Sequence, residues 1–254
     1  MSAVFKMVRR GTFIVFEGCD RGGKTTQCKK LVEALNKKNI PAEYMNFPDR
    51  TTAVGKIIND YLKKNIELPD HAVHLLFSAN RWELEPVIRK KLHSGVSLVV
   101  DRYSYSGVAF SAAKENMDLQ WCWNQEEGLP APDAVFILNL SESASLQRGG
   151  FGEERYELTD FQAKVRSNYK LLKDPKIWKD IDADRDVESV HNEILKLFEE
   201  VHSQAVSQPI KTLKNLTISH QNGYFANDLT SNGSIPNGSI CNGSIPNGAI
   251  CNGR

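Results

Sequence analysis

The sequence has almost no excess of charge of either sign. Its 32 lysines and arginines nearly balance 31 aspartates and glutamates, which leaves a formal net charge of +1. A balanced charge provides no strong electric field to attract nucleic acid or an anionic membrane surface. We therefore expect neither nucleic acid nor a membrane among the partners of this protein.

Long apolar runs are also missing. No segment approaches the roughly 20 apolar residues needed to cross a bilayer, and the N-terminal MSAVFKMVRRGTF is too short and too polar for a secretory signal. The five cysteines form no CxxC pair, so neither a zinc site nor a disulfide framework is expected. Reduced thiols indicate the cytoplasm, or alternatively the nucleus, as the compartment.

The last part of the chain contains little apolar sequence. It repeats NGSIP and NGSIC, in which Asn-Gly and Pro recur too often for a helix or a long strand. Its apolar surface is too small to offset the conformational entropy lost on ordering. We predict a folded domain over residues 1–202 and a disordered tail over residues 203–254.

Within the body, short apolar segments alternate with helical patterns. The pattern predicts strands at 12–17, 43–47, 97–101, 134–140 and 177–182, and helices at 24–38, 51–64, 70–93 and 187–201. Apolar strands between helices are typical of a parallel sheet with helices on both faces, so the predicted fold class is α/β with three layers. Ligands of such sheets bind at the carboxyl ends of the strands, where Glu17 and Asp101 close two of them.

The segment GCDRGGKT, Gly18–Thr25, matches the phosphate-loop pattern G-x-x-x-x-G-K-[ST] between a predicted strand and a predicted helix. The glycines let backbone N–H groups face a phosphate, and the helix N-terminus adds a positive partial charge. Lys24 is suited to bridging the transferred phosphate, and the Thr25 hydroxyl to holding Mg²⁺. The candidate ATP-binding residues of the loop are Gly18, Gly22, Gly23, Lys24, Thr25 and Thr26. Because no N-K-x-D motif for guanine is present, a kinase is favoured over a GTPase switch.

Two further segments carry residues suited to a phosphate acceptor. In FPDR, Arg50 follows the second strand and can grip a phosphate, although an exposed loop arginine is the simpler interpretation. In HLLFSANRWE, Phe77 and Arg81 lie four residues apart on one helix face. There the phenylalanine can stack on a base and the arginine can hydrogen-bond to it. Alternatively, the phenylalanine packs in the core, and the arginine packs its aliphatic part beside it while its charged end reaches water.

The segments DRYSYSGVAF and RGGFGEERYE complete the set. Asp101 ends the predicted third strand and Arg102 follows it. The two residues can order magnesium waters and bind an acceptor phosphate, or form a structural ion pair. The glycines and charges around Arg148 and Arg155 indicate a mobile lid over about residues 146–158, with a plain surface loop as the alternative.

Together, FEGCDRGGKTTQ, FPDR, HLLFSANRWE, DRYSYSGVAFSAAKEN and RGGFGEERYE, in this order, resemble the thymidylate kinase family, and the eukaryotic form most closely. The resemblance covers about residues 10–201. It implies a five-stranded parallel sheet surrounded by helices, a homodimer, and the transfer of phosphate from the co-substrate ATP to dTMP with Mg²⁺. Two positions depart from the family pattern: Gly22 stands where Ala is familiar, and Asp49 where Glu is common.

The resemblance also implies roles for individual residues. Arg21 reaches the transferred phosphoryl group, Asp20 faces the acceptor sugar, and Arg148 lies near the adenine, as does the loop around 182–187. The implied dTMP-binding residues are Asp20, Phe47, Arg50, Phe77, Arg81, Arg102, Gly107, Phe110, Tyr156 and Gln162. The implied catalytic residues are Arg21, Lys24, Asp101 and Arg102, with Thr25 and Asp101 as magnesium ligands, partly through water.

We expect direct in-line transfer without a covalent enzyme intermediate. Two alternatives remain open at this stage. One is a kinase for a different nucleoside monophosphate, UMP or AMP. The other is a P-loop regulatory or scaffold protein that uses its tail to recruit partners.

Overall fold

The structure is a computed structural model that describes residues 9–141, 144, 155–156 and 159–216. Its strands are β1 (Phe13–Glu17), β2 (Ala42–Asn46), β3 (Ser97–Asp101), β4 (Ala134–Asn139) and β5 (Trp178–Asp182). The described helices are α1 (Lys24–Lys37), α2 (Ala53–Leu62), α3 (Asp70–Trp82), α4 (Glu85–His93), α5 (Ser104–Ser111), α6 (Leu119–Asn124), α7 (Thr159–Leu172) and α8 (Val187–Ala205). Within this part of the chain, no helix combines the length and the apolar character that a bilayer-spanning segment requires.

The strands form one parallel sheet in the order β2-β3-β1-β4-β5. This confirms the predicted five-stranded α/β fold. Phe16 on β1 pairs with Asp101 on β3, so the two strands end side by side. The loop after β1 and the residues after β3 therefore share one edge of the sheet, which is where the site lies.

Both faces of the sheet are covered. On β1, Phe13 and Val15 belong to one apolar core, whereas Ile14 and Phe16 belong to a second core that includes residues of α1 and α8. Because side chains alternate across a strand, a strand buried on both faces is apolar throughout. This explains why the strands are visible in the sequence as continuous apolar runs.

The predicted long helix over residues 70–93 is wrong, because the structure contains two helices, α3 and α4, separated at Glu83 and Leu84. Pro86 lies at the start of α4 and has no N–H group to donate to the carbonyl of Trp82. The hydrogen-bond ladder is interrupted there, and the chain starts a new helix.

The sequence prediction did not include α5, α6 and α7. Helix α5 is the instructive case, because it is buried on almost every side. Its buried residues are Ser104, Tyr105, Ser106, Val108, Ala109 and Ser111. A helix without a solvent-exposed face has no amphipathic period for a sequence pattern to reveal.

The packed chain continues past the boundary predicted after residue 202. Helix α8 ends at Ala205, and Leu213 is buried against the main core. The Leu213 N–H donates to the Leu129 carbonyl at 2.8 Å, and its own carbonyl accepts from the Gly128 N–H at 3.0 Å. These contacts anchor a short segment whose apolar residue is too isolated to stand out in the sequence. The repeats of the predicted tail lie outside the described residues.

A buried histidine on α3 is expected to make stability depend on pH. The Nε2 of His74 lies 3.0 Å from the Cys122 carbonyl oxygen, which can only accept, so Nε2 carries the proton and Nδ1 accepts from the Ser111 hydroxyl at 2.8 Å. Burial, and secondarily the charge of Arg81, lowers the pKa of His74 to about 4.

Because the histidine pKa in the unfolded chain is about 6.5, the unfolded state binds the proton first as the pH falls. As the pH falls from 6.5 to 4, we expect His74 to lower the free energy of unfolding by up to about 3 kcal/mol. Urea denaturation of the native protein and His74→Gln at several pH values measures this. The advantage of the native protein over the variant should shrink toward low pH, and an advantage that does not change with pH would contradict the expectation.

Candidate active site

A cavity of about 820 Å³ lies at the carboxyl ends of β1, β2 and β3. Its lining includes most of the residues that the sequence singled out: Asp20, Arg21, Gly22, Gly23, Lys24, Thr25, Thr26, Phe47, Arg50, Phe77, Arg81, Asp101, Arg102, Gly107, Phe110 and Tyr156. Apart from Tyr156, which precedes α7, these residues come from the phosphate loop, the β2–α2 loop, α3 and the β3–α5 segment. The fold therefore brings the separate sequence motifs to a single cavity.

The phosphate loop curls between β1 and α1 with two glycines in left-handed conformations. Gly18 has φ 131°, and a Cβ there would lie 2.6 Å from the Leu138 carbonyl oxygen; Gly23, at the start of α1, has φ 82°. A side chain at either position would be strained. The Lys24 ammonium group folds back across the loop and donates to the Cys19 carbonyl at 2.7 Å.

Lys24 is held in a setting that disfavours its charge when no phosphate is present. Its side chain is buried, and burial together with the nearby Arg102 charge lowers the pKa of Lys24 to about 8, although Asp20 and Asp101 oppose the shift. An anionic phosphate in the loop favours the charged ammonium.

We therefore expect Lys24 to take up a proton when ATP binds at a pH of about 9, where the free lysine is mostly neutral. Near pH 7 the lysine is already charged, so its proton uptake should be close to zero. Isothermal titration calorimetry at each pH, in buffers of different ionisation enthalpy, measures the uptake. Lys24→Met is the control and should abolish the uptake at high pH. Equal proton uptake by the native protein and the variant would contradict the expectation.

The Thr25 hydroxyl donates to Asp101 Oδ2 at 2.5 Å and brings two oxygen atoms together beside the phosphate loop. In the described part of the chain, no group of three or more His, Cys, Asp or Glu residues could hold a metal ion. Mg²⁺ characteristically takes one or two protein oxygens and completes its shell with phosphate and water. The Thr25–Asp101 pair fits such a site.

Arg102 connects the phosphate loop to α5. It has φ 66°, which is uncommon for a residue with a Cβ. Its guanidinium donates to the Gly18 carbonyl at 3.1 Å, the Ser106 hydroxyl at 3.1 Å and Asp20 Oδ1 at 2.5 Å. The guanidinium also lies 5.1 Å from the centre of the Phe110 ring. The pKa of Arg102 is raised by the charge of Asp20, although burial opposes the increase.

Asp20 is shared between Arg102 and α7. The Gln162 amide of α7 donates to Asp20 Oδ2 at 2.9 Å. Burial by itself raises the pKa of Asp20, but the charges of Arg102 and Lys24 outweigh burial, so the pKa lies below its usual value. Asp20 is therefore ionised at neutral pH. Gln162 and Gly18 do not line the cavity themselves but hold residues that do.

Helix α3 forms the far wall of the cavity with Phe77 and Arg81. Arg81 is only 2% exposed, and its guanidinium is paired with Glu126 rather than extended into solvent. The alternative, in which Arg81 packs its aliphatic part in the core and extends its charged end into water, is therefore wrong. Arg50 is exposed and donates to Asn59 at 3.2 Å.

Of the two arginines of the predicted lid, Arg148 lies outside the described residues. Arg155 donates to the Tyr61 carbonyl at 3.1 Å and to Glu67 at 2.7 Å, near the end of α2, and it does not line the cavity. The next residue, Tyr156, does line it and stacks on Phe161 with ring centres 5.1 Å apart. The lid itself stays a prediction.

Two residues that support the site, Glu17 and Asn80, were not assigned a role in it from the sequence. Glu17 is fully buried and accepts from the N–H groups of Tyr103 and Ser106 at 3.0 and 3.1 Å and from the Tyr169 hydroxyl at 2.9 Å. Burial raises the pKa of Glu17. Its only sequence signal is an acid at the end of an apolar strand. Asn80 likewise received no role, although it precedes Arg81 and fixes the loop before Arg50 by accepting from the Asp49 N–H at 2.7 Å.

The cavity is also lined by Ala183, Arg185, Val187 and Val190. Three of these residues belong to the loop around 182–187 that the family resemblance places near adenine. That role stays a prediction.

A phosphate loop that shares its cavity with several arginines and an aromatic wall defines a class of protein, the P-loop nucleotide kinases. The comparisons with known proteins agree. A family model described as thymidylate kinase matches residues 16–194.

The chain is 52% identical over 207 residues to the thymidylate kinase of Danio rerio, covering 81% of this chain and 98% of that protein. It is 49% identical to the thymidylate kinase of Homo sapiens, with the same coverage. Among solved structures, the thymidylate kinase of Candida albicans is similar with a TM-score of 0.74 and 35% identity, covering 81% of this chain and 99% of that one. The chain belongs to the thymidylate kinase family.

Proposed function

We propose that this protein transfers the γ-phosphoryl group of ATP to dTMP and releases ADP and dTDP, a step in dTTP synthesis. The observation that carries the proposal is the shared cavity. The phosphate loop and the base-binding residues of α3 line it together, and the Asp20–Arg102 pair joins its two sides.

On the ATP side, the loop glycines, Lys24, Thr25 and Thr26 bind the phosphates. Lys24 and Arg21 neutralise the charge that develops on the transferred group, which is the main contribution a protein makes to phosphoryl transfer. Thr25 and Asp101 would hold a magnesium ion, partly through water, and that ion would supply further positive charge at the phosphates.

On the dTMP side, Phe77 stacks on the base and Arg81 donates to it, while Arg50 and Arg102 hold the phosphate. Phe47, Gly107, Phe110 and Tyr156 complete the pocket. The Asp20 carboxylate stays near the sugar because Arg102 and Gln162 fix both of its oxygens.

The transfer proceeds in line from ATP to a phosphate oxygen of dTMP. No strong general base is needed, because the attacking oxygen is already anionic at neutral pH. Asp20 is also poorly suited to act as a base, since the charge of Arg102 helps to keep its pKa low. Catalysis is therefore positioning combined with charge neutralisation.

A panel of phosphate acceptors tests the proposal. The purified protein, ATP and Mg²⁺ are incubated with dTMP, UMP or AMP, and the nucleotide products are separated by chromatography. We expect dTDP and ADP in equal amounts with dTMP and little product with UMP or AMP. Preferred turnover of UMP or AMP would indicate a different monophosphate kinase. ATP binding without turnover of any acceptor would favour the scaffold alternative.

Two further properties remain predictions. The family resemblance favours a homodimer, which light scattering coupled to size-exclusion chromatography would reveal. The cysteine content favours the cytoplasm, or alternatively the nucleus, which imaging of the tagged protein would distinguish.

A further inference from the structure

Glu126 lies in the turn after α6 and is completely buried. Its carboxylate accepts two hydrogen bonds from Arg81, from Nε at 2.6 Å and from Nη2 at 2.5 Å. These bonds occupy one edge of the guanidinium, and Arg81 lines the cavity. A bidentate pair of this kind fixes the plane of the guanidinium as well as its position.

The turn that carries Glu126 is attached to α3 by separate hydrogen bonds. The Ser78 hydroxyl and the Trp82 indole N–H both donate to the Gln125 carbonyl, each at 2.9 Å. One turn of helix before Ser78, His74 donates to the Cys122 carbonyl. Glu126 is therefore held in place relative to α3 independently of its bonds to Arg81.

Gly107 of α5 lies against the guanidinium. A Cβ at this position would come within 2.5 Å of Arg81 Nη2 and 2.9 Å of Cζ. Any side chain there would displace the guanidinium. Arg81 is therefore confined by Glu126 at one edge and by the α5 backbone beside it.

We infer that Glu126 is a positioning residue that makes the base pocket selective for pyrimidines with a carbonyl oxygen at C4, such as thymine, over cytosine. The inference rests on the proposed function, in which Arg81 contacts the base. A guanidinium carries only hydrogen-bond donors, and one held in a fixed orientation cannot turn these donors away from the base. A C4 carbonyl accepts, whereas the exocyclic amine of cytosine is itself a donor and would leave two donors facing each other in a buried site. An arginine released from Glu126 can move away from this mismatch.

Two substitutions at Glu126 test the inference. Glu126→Gln keeps the size of the side chain but removes the charge and one acceptor, and Glu126→Asp keeps the charge but withdraws the carboxylate by one methylene group. The matched control is Asp133→Asn. Asp133 forms another bidentate pair, with Arg10 at 2.8 and 2.6 Å, and neither residue lines the cavity.

The measurements are the Kd values of dTMP and dCMP by calorimetry, kcat and KM with dTMP, and the Tm of each variant. For both Glu126 variants we expect dTMP to bind about tenfold more weakly, and the preference for dTMP over dCMP to narrow about tenfold. We expect kcat at saturating dTMP to stay within about threefold, because Arg81 contacts the base and not the phosphates. Asp133→Asn should lower Tm without changing either Kd.

An unchanged preference for dTMP over dCMP in a folded Glu126 variant would overturn the inference. An equal loss of this preference in Asp133→Asn would also overturn it. Glu126→Asp retains the neutralising charge, so it remains informative where Glu126→Gln does not fold. The binding measurements need no turnover. If the native protein binds dTMP without phosphorylating it, the proposed function alone is wrong. If it binds dTMP and dCMP equally well, the inference is wrong, and if it binds neither, both are wrong.

Discussion

Replacing Arg21 with alanine is expected to lower kcat by about 10³ or more while leaving the Kd of dTMP nearly unchanged. Arg21 lies in the phosphate loop beside Lys24, has φ 66° and lines the cavity. In the proposed mechanism its guanidinium neutralises the charge of the phosphoryl group as it leaves ATP, so its effect is expected to be largest in the transition state. Alanine at a positive φ is strained much as arginine is, so the substitution does not release backbone strain.

Steady-state kinetics at saturating ATP and dTMP, together with calorimetric binding of dTMP, measure the two quantities. Lys30→Ala is the control, because Lys30 is a nearby cation on α1 that pairs with Glu188 outside the cavity. Its kcat should match that of the native protein. A kcat of Arg21→Ala near the native value would remove Arg21 from the catalytic residues.

The second large effect is expected at Arg102. Replacement with methionine should lower kcat/KM for dTMP by at least about 10³, with contributions from both a higher KM and a lower kcat. The substitution removes the proposed, partly buried clamp on the acceptor phosphate and leaves the Asp20 carboxylate without the arginine that pairs with it. An unpaired, partly buried anion near two anionic substrates opposes their binding.

Arg50→Met provides the matched comparison, since it makes the same chemical change at an exposed position of the same cavity. Water screens an exposed charge, so we expect a loss of only about tenfold, mainly in KM. Arg102→Lys should not restore activity, because an ammonium group cannot reproduce the guanidinium's contacts to Gly18, Ser106 and Asp20. Equal losses at Arg50 and Arg102 would contradict the role given to burial.

The sequence predicts the sheet well and the helices around the site less well. The bounds of β3, Ser97–Asp101, agree with the predicted strand, because a continuous apolar run closes with an acid. Helix α5 was missed because burial on nearly all sides removes its amphipathic period. The split between α3 and α4 depends on a single missing N–H at Pro86, which a strong helical pattern on both sides obscured.

The residues of the candidate site are likewise predictable from the sequence only where they lie in local motifs. Residues in local motifs, such as Lys24 and Thr25, were identified because their chemistry depends on spacing along the chain. Glu126 was missed because its partner, Arg81, lies 45 positions away and no motif links the two. The burial and the Arg102 charge that lower the pKa of Lys24 are likewise produced by folding, so no sequence pattern indicates them.

The central claim is that the phosphoryl group is transferred directly from ATP to dTMP within one cavity. The stereochemistry at phosphorus tests this claim most directly. ATP with a γ-phosphoryl group made chiral by oxygen isotopes is incubated with dTMP and the native protein, and the configuration of the product is determined. Direct in-line transfer predicts inversion of configuration. Retention would show two successive displacements through a phosphorylated enzyme and would contradict the account.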